Sequence, residues 1–160
     1  MESVGYNWFE LWIESLLRAF SYVVGVEQLK LFASKSAEAM MILIEERNCV
    51  PTTQGSNIPQ VVSSAEQTIK AMQPGKLDWT VETQGDITQL SIGSCPFDQL
   101  CSSMISEIIS SGRVDKTKLP CLMSELAVGA CRAKNIKSRS VMIQFAPGMK
   151  CVSQINKVEM

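Results

Sequence analysis

The stretch that decides the fold is residues 77–92, LDWTVETQGDITQLSI. Its first six residues alternate apolar and polar side chains, which is typical of a half-buried strand because successive side chains of a strand point to opposite faces. Gln84, Gly85 and Asp86 supply a turn, and residues 87–92 return as the partner strand. The stretch therefore predicts an antiparallel hairpin.

A second hairpin is predicted near the end of the sequence. Residues 140–145 alternate between two faces in the same way, and APGM (146–149) places proline and glycine at the two central positions of a type II turn. Residues 150–158 return as the last strand. Because hairpins pair antiparallel, the two hairpins and their intervening helices predict an α+β fold, with a four-stranded antiparallel sheet covered by helices on one side.

Helices account for most of the remaining chain. Apolar residues recur at helical spacing in several segments. These segments are residues 8–24, 27–47, 60–72, 96–111 and 120–133. The first two, separated at Gly25, form an N-terminal helical pair that precedes the sheet. We expect a single domain, residues 1–160, composed of N-terminal helices (1–47) and an α+β portion (60–158).

The composition is that of a globular protein. Hydrophobic residues make up 46% of the 160 residues and charged residues 19%, which is enough apolar material for a core. The 15 Lys and Arg residues nearly balance the 16 Asp and Glu residues, so we expect no nucleic acid partner. The densest basic segment, RAKNIKSR at 132–139, joins a predicted helix to a predicted strand. We interpret it as a solvated loop rather than an anion site.

The sequence indicates a cytoplasmic protein. The N-terminal segment lacks a basic start and carries Glu10 and Glu14 among its apolar residues, so we expect neither a signal peptide nor a membrane span. The six cysteines are expected to be free thiols of a reducing compartment rather than disulfides.

Histidine is absent from the sequence. This removes the usual general base near neutral pH and the imidazole that activates nucleophilic serine and cysteine residues. The remaining catalytic candidate is Cys95, which precedes a predicted helix whose N-terminus would lower the thiol pKa. Helix capping is the alternative role for this position. We therefore expect a protein that binds or assembles rather than one that catalyses.

Flexible and small side chains mark a candidate ligand pocket. Methionines adapt to varied ligand shapes, but they also fill irregular cores. The helix over 120–133 carries an unusually small surface around Gly129, which fits the close approach of another helix, of the sheet or of a flat ligand. The candidate ligand-binding residues are Met104, Met123, Gly129, Met142 and Phe145.

Two cysteines and a glutamate form a candidate metal site. Cys121 and Glu125 are one helical turn apart, and Cys151 lies on a strand that can return beside them, so the three are candidate zinc ligands. However, the sequence has no CxxC pair, and the ligands would have to converge from distant segments. We predict less than one zinc per chain.

An aromatic stripe on the first predicted helix is a candidate interface. Its residues are Trp8, Phe9, Trp12, Leu16 and Phe20. The stripe has more large apolar area than one helix of a small domain needs, which favours a homodimer. The alternative is that the stripe packs on its own sheet or on the helix over 27–47.

The second half of the chain resembles the 4-vinyl reductase domain family, the hydrocarbon-binding proteins of archaea and bacteria. The likeness rests on the order of elements and on four short motifs. These are SCPF (94–97), PCL (120–122), GAC (129–131) and APGMKCVSQI (146–155). The family shares its fold with small TRAPP vesicle-tethering subunits. The amino-thiazoline carboxylic acid hydrolase-like family ends in a similar Gly-turn-Cys strand.

The resemblance also implies a ligand set for zinc. Aromatic sensors of the family hold zinc with three Cys and one Glu, and Cys151 resembles the last of these ligands while Cys121 matches the first. The middle Glu and Cys have no counterpart, because the corresponding region is SVMI (140–143).

Three functions follow as hypotheses. The first is a non-enzymatic, dimeric domain that binds or senses a small apolar or tetrapyrrole-like molecule in a pocket between helices and sheet. The second is an adaptor of TRAPP type that presents surfaces without a ligand. The third is a thiol-dependent, hydrolase-like enzyme that uses Cys95 or Cys121.

Overall fold

A computed structural model describes residues 15–16, 19–20, 23–48, 50–72, 77–110 and 118–158. Its helices are α1 (Val26–Arg47), α2 (Ile58–Met72), α3 (Asp98–Leu100), α4 (Ser106–Ser110) and α5 (Leu122–Ala133). Its strands are β1 (Trp79–Gln84), β2 (Ile87–Ile92), β3 (Ser138–Gln144) and β4 (Cys151–Lys157). The predicted α+β class is confirmed. Within the described residues, no helix has both the length and the apolar composition needed to span a bilayer.

The four strands form one antiparallel sheet in the order β1-β2-β4-β3. Both predicted hairpins are present. In the first, Trp79 pairs with Ile92 and Gln84 with Ile87, so only Gly85 and Asp86 form the turn. Gly85 has a φ of +59°, a conformation that costs glycine little because it has no Cβ. The second strands of the hairpins, β2 and β4, pair at the centre of the sheet, which leaves β1 and β3 at its edges.

One face of the sheet carries the main core. Val81, Leu90, Ser153 and Met142 stand side by side across the four strands on this face. Helices α2 and α5 pack against it. The largest fully buried side chains of this layer are Leu90, Met123, Ile155, Val61, Val62 and Val128. In the first hairpin the apolar side of the period-two pattern is turned toward the helices, as predicted. In β3 the prediction is wrong, because the predicted apolar side, Val141 and Ile143, faces away from the core, and Met142 is buried together with two serines.

Helices α1 and α5 cross at Gly129. A Cβ atom at this position would lie 2.5 Å from the backbone carbonyl carbon of Ala37 and 2.6 Å from the backbone nitrogen of Glu38. No side chain fits at such distances unless the backbone moves. The small surface predicted around Gly129 is therefore a helix crossing, and neither the sheet nor a ligand makes the close approach.

Helix α1 has two apolar faces. It begins after Gly25, where the predicted break occurs, and ends at Arg47. The next residue, Asn48, adopts a left-handed conformation and caps the helix. Its inner stripe is buried and consists of Leu29, Ala33, Ala37, Met41 and Ile44. Its outer face exposes Leu31, Phe32, Ile42 and Leu43. Phe20 stacks on Phe32 with ring centroids 4.7 Å apart, so this part of the helical N-terminal segment contacts α1.

The helix predicted over residues 96–111 is present over residues 98–110, but a π-helical turn interrupts its α-helical geometry. The segment consists of the short helix α3, a π-helical turn over Cys101–Ile105 and the short helix α4. The wider turn accompanies the burial of Cys101 beside Leu29 and Leu119. An i, i+3, i+4 pattern cannot reveal this, because a π turn adds a residue without removing the apolar side chains on either side of it.

Candidate functional site

A cavity of about 440 Å³ lies where α1, α5 and the edge strand β3 meet. Its volume falls in the range of small-molecule sites, roughly 300–1,000 Å³. The residues that line it are Glu27, Lys30, Leu31, Ser34, Lys118, Glu125, Arg132, Arg139, Ser140 and Val141. The cavity therefore lies between helices and sheet, as the binding hypothesis expects, but eight of its ten lining residues are polar or charged.

The cavity concentrates positive charge. Lys30, Lys118, Arg132 and Arg139 line it, against only two carboxylates. The whole chain has a formal charge of −1, so this cationic excess is a local feature rather than a property of the composition. Charges of one sign in a concave, partly dry site attract ligands of the opposite sign.

Two of the cations bind the free edge of β3. The Nζ of Lys30 donates a hydrogen bond to the backbone oxygen of Ser140 at 2.7 Å. Arg132 donates to the backbone oxygen of Ser138 from Nε at 3.1 Å and from Nη2 at 2.9 Å. The oxygen of Lys137 accepts from the chain after β4, so by alternation the carbonyls of Ser138 and Ser140 point away from β4. Lys30 and Arg132 thus fix one wall of the cavity.

Glu125 is the buried acid of the site. Its exposure is 2%, and its Oε1 accepts a hydrogen bond from the Ser140 hydroxyl at 2.5 Å. Arg132 also donates from Nη1 to the Ser34 hydroxyl at 2.5 Å, which ties α1 to α5 at the same point. Burial raises the pKa of Glu125, while the Ser140 hydroxyl, Lys30 and Arg132 oppose that rise.

Burial shifts the pKa of Lys30 in the opposite direction to that of Glu125. Burial lowers the pKa of Lys30, and the Glu125 carboxylate opposes that change. At the exposed mouth of the cavity, Lys118 and Glu27 form an ion pair at 2.6 Å. The cavity therefore has a buried charged floor and a solvated charged rim.

The ligand-binding residues predicted from sequence do not line this cavity. Met123 and Met142 are buried in the main core, and Gly129 lies in the α1–α5 crossing. Phe145 is half-buried and packs against the core. The side chain of Met104 lies outside the described residues. These methionines fill the core, which was the alternative interpretation of their flexibility.

The cationic lining was not predicted from the sequence. Arg132 lies in the last turn of α5 and Arg139 lies in β3, so the basic segment interpreted as a solvated loop places two of its charges in the cavity. A signal was present, because Glu125 and Arg132 are seven residues apart and share a helical face. Gly129, which contacts α1, lies between them on the same face of the helix.

Four cysteines converge at the other end of α5. Cys121 is the N-cap of this helix, and Cys151 pairs with Ile92 at the junction of β2 and β4. Cys95 follows β2, and Cys101 lies in the π turn. The Sγ of Cys95 accepts a hydrogen bond from the N–H of Phe97 at 3.4 Å, and the Sγ of Cys151 accepts one from the N–H of Ala146 at 3.4 Å. We call Cys95, Cys101, Cys121 and Cys151 the thiol cluster.

Burial keeps the thiol cluster protonated. It raises the pKa of Cys95 to about 12, and the neighbouring Cys121, Asp98 and Cys151 add to the rise. Burial also raises the pKa of Cys101, Cys121 and Cys151. A helical segment does follow Cys95, but the pKa shift has the opposite direction from the one that an activated nucleophile requires.

The candidate metal ligands are not assembled into a site. Glu125 faces Ser140 in the charged cavity, whereas Cys121 and Cys151 belong to the thiol cluster. Among the residues that the structure describes, no group of three or more His, Cys, Asp or Glu side chains is placed to hold a metal ion. The five cysteines described are free thiols. Substoichiometric zinc stays a prediction.

The predicted interface is described only in part. Trp8, Phe9 and Trp12 lie outside the described residues. Leu16 is exposed, and Phe20 is the half-buried residue that stacks on Phe32 of α1. The contact matches the alternative in which the stripe packs on the following helix, at least at its last residue.

Comparison with known proteins finds no family match. A scan against models of protein families returned none for this chain, and a search of curated proteins returned no relative. The resemblance to the 4-vinyl reductase domain family therefore stays a prediction.

Proposed function

We propose that this chain is a non-enzymatic binding domain for a small anionic molecule, which occupies the charged cavity between α1, α5 and β3. The proposal keeps the binding hypothesis drawn from the sequence and changes the ligand. A negatively charged group takes the place of a wholly apolar molecule.

The observation that carries the proposal is the charge of the lining. Four cationic side chains and two carboxylates line the cavity, and apart from the Lys118–Glu27 ion pair at the rim, three cations remain against Glu125. Holding cations close together costs electrostatic energy, which a bound anion offsets. Leu31 and Val141 lie on the same lining and provide a contact for an apolar part of the ligand.

Binding is favoured over catalysis by the state of the thiols. A thiol-dependent hydrolase needs a thiolate near neutral pH. Burial raises the pKa of both candidate nucleophiles, Cys95 and Cys121. The charged cavity, by contrast, requires no reactive group to hold an anion.

Titration calorimetry tests the proposal. Inorganic phosphate and succinate are titrated at constant ionic strength, set with potassium chloride, into the wild type and into Arg139→Ala and Lys118→Ala. We expect wild-type binding that each substitution weakens by about tenfold, because a charge-assisted hydrogen bond contributes roughly 1.5–3 kcal/mol.

The matched control is Lys70→Ala. This lysine lies on α2 and pairs with Glu66 at 2.6 Å, away from the cavity lining. Its substitution also removes one positive charge, and we expect it to leave anion binding unchanged. Wild-type protein that binds neither anion at millimolar concentration would contradict the proposal, as would equal weakening in the control.

Assembly with a second copy of the chain is a second candidate function, in line with the adaptor hypothesis. The observation that favours it is the outer face of α1, where Phe32, Ile42 and Leu43 are exposed. We expect Phe32→Glu to convert a wild-type dimer into a folded monomer in analytical ultracentrifugation. Gln28→Glu, one turn earlier on α1 and also exposed, is the control. A wild-type monomer at tens of micromolar would exclude this candidate.

A further inference from the structure

We infer that the ligand is an oxyanion that shares one proton with the carboxylate of Glu125, so that the cavity prefers a phosphate group over sulfate. This inference rests on the proposed anion-binding function and names the ligand class. Glu125 is then a specificity-determining residue of the site.

The position of Glu125 is the first argument. Glu125 is one of the residues that line the cavity, and at 2% exposure it forms part of the buried floor. The Ser140 hydroxyl donates to its Oε1, and the Ser34 hydroxyl also hydrogen-bonds the carboxyl group. An anion that reaches the floor therefore meets a carboxyl group in a lining where four of the six charged residues are cationic.

The charged groups around Glu125 come from every adjoining element. The charged groups are Lys30 of α1, Arg132 of its own helix, Arg139 of β3, and the rim pair of Lys118 and Glu27. The titratable but uncharged neighbour is the thiol of Cys121 at the start of α5. Lys30 and Arg132 also bind carbonyl oxygens of β3, which holds their charges in place. These cations attract the anion, and Glu125 opposes it.

The second argument is the repulsion between two negative groups. Two oxyanionic groups in contact cannot both stay fully ionised when one of them is buried, as Glu125 is, and such pairs retain one proton between them. Hydrogen phosphate brings that proton, and its P–O–H group donates to Glu125. Sulfate has no proton near neutral pH, so its binding takes up one proton from the buffer onto the Glu125 carboxylate. No covalent bond other than this O–H bond forms or breaks.

The test measures Kd for inorganic phosphate and for sulfate at pH 7.5 and 8.5 and at constant ionic strength. Hydrogen phosphate dominates over this range. We expect the Kd for sulfate to rise about tenfold over one pH unit, because its binding is linked to uptake of one proton. The Kd for phosphate should change by less than about threefold. Titrations in two buffers of different ionisation enthalpy count the protons, with about one expected for sulfate and none for phosphate.

Glu125→Gln sharpens the test. Glutamine keeps the size of the side chain and carries no charge, so we expect the pH dependence of sulfate binding and the preference for phosphate to disappear. Glu66→Gln on α2 is the matched control and should behave as wild type. Should Glu125→Gln not fold, the wild-type comparison at the two pH values decides alone.

The outcomes separate this inference from the function on which it rests. If neither anion binds, the proposed function fails. If both bind with the same pH dependence and the same proton count, the function stands and the role of Glu125 is overturned. Glycerol phosphate as a third probe identifies the source of the phosphate group. Binding as tight as that of inorganic phosphate indicates a phosphate monoester, whereas much weaker binding indicates free phosphate, and both agree with the inference.

Discussion

The thiol cluster and the charged cavity lie one helical turn apart at the start of α5, yet the neighbours of their buried groups have opposite effects on ionisation. Cys121 and Glu125 are both buried and both ionisable, and burial raises the pKa of each. Around Glu125 the structure provides Lys30, Arg132 and the Ser140 hydroxyl, all of which favour its charged form. Around Cys95 and Cys101 the interacting charges are other thiols and Asp98, which favour the neutral form.

The two regions differ in whether a buried ionisable group is surrounded by groups that favour its charged form. A buried group keeps its charge where opposite charges and hydrogen-bond donors are built around it, and it takes up a proton where they are not. The cysteines were the most conspicuous chemical groups of the sequence. The charges of the cavity nevertheless have the better-supported role.

The largest expected effect concerns the thiol cluster at alkaline pH. A thiol whose pKa is raised in the folded state, above its ordinary value of 9.0, binds its proton more tightly when folded. Its contribution to stability is complete below pH 9 and is lost as the pH rises toward the folded value, which is about 12 for Cys95. We expect the free energy of unfolding, measured in urea, to fall by about 1.4 kcal/mol per buried thiol between pH 8 and pH 10.

Cys131→Ala provides a reference outside the cluster. Cys131 is 0% exposed and its pKa is raised by burial to about 11. Between pH 8 and pH 10, the free energy of unfolding of this variant should fall by about 1.4 kcal/mol less than that of the wild type, because one buried thiol is absent. A free energy of unfolding that does not change from pH 8 to pH 10 would show that the cluster is hydrated, and the contrast with the cavity would disappear.

The next effect is on the cavity. Arg132→Met should lower the free energy of unfolding at pH 7 by about 3 kcal/mol, because it removes the guanidinium bonds to Ser138 and Ser34 and leaves Glu125 with one cation fewer. Urea denaturation measures this change. Arg139→Met removes an exposed charge of the same cavity and should cost less than about 1 kcal/mol. Equal costs would mean that Arg132 acts only through the net charge.

A smaller effect is expected from Glu125→Gln. The folded pKa of Glu125 lies above its ordinary value of 4.5, so its carboxyl group destabilises the fold as the pH rises from 4.5 through the folded value. The substitution should flatten this part of the stability profile and change the free energy of unfolding at pH 7 by about 1 kcal/mol. Thermal melts from pH 4 to pH 8 measure it. An unchanged profile would indicate that Glu125 is well solvated.

The smallest effect is expected from zinc. Elemental analysis of protein purified without chelator should give less than one zinc per chain, and added zinc should not raise the melting temperature. One zinc per chain that disappears in Cys121→Ser or Cys151→Ser would turn the thiol cluster into a charged site. The comparison between the two regions would then reverse.

Local patterns predicted the strands and their pairing, but not which face of β3 is buried. Alternation over residues 77–92 and 140–145, with turns between strands, depends on neighbours in sequence, and both hairpins formed as predicted. The break at Gly25 and the small surface at Gly129 were also predictable, since each follows from the backbone freedom or the size of glycine. The π turn was not, because its extra residue leaves the apolar spacing on either side intact.

The candidate site could not be predicted in the same way. Lys30 and Ser140 are 110 residues apart, and Arg132 and Ser34 are 98 apart, so no window of sequence contains the cavity. A charged residue on a helix ordinarily indicates a solvated face. Only the relative placement of α1, α5 and β3 turns these residues toward one another.

The bonds of Lys30 and Arg132 to the edge of β3 have a consequence for the behaviour of the chain at high concentration. An edge strand with free carbonyls is a template for strands of other molecules, which leads to aggregation. At Ser138 and Ser140 those carbonyls already accept hydrogen bonds from charged side chains. A strand that arrived there would have to displace a guanidinium and an ammonium group. The side chains that hold the cavity open thus also end the sheet at four strands.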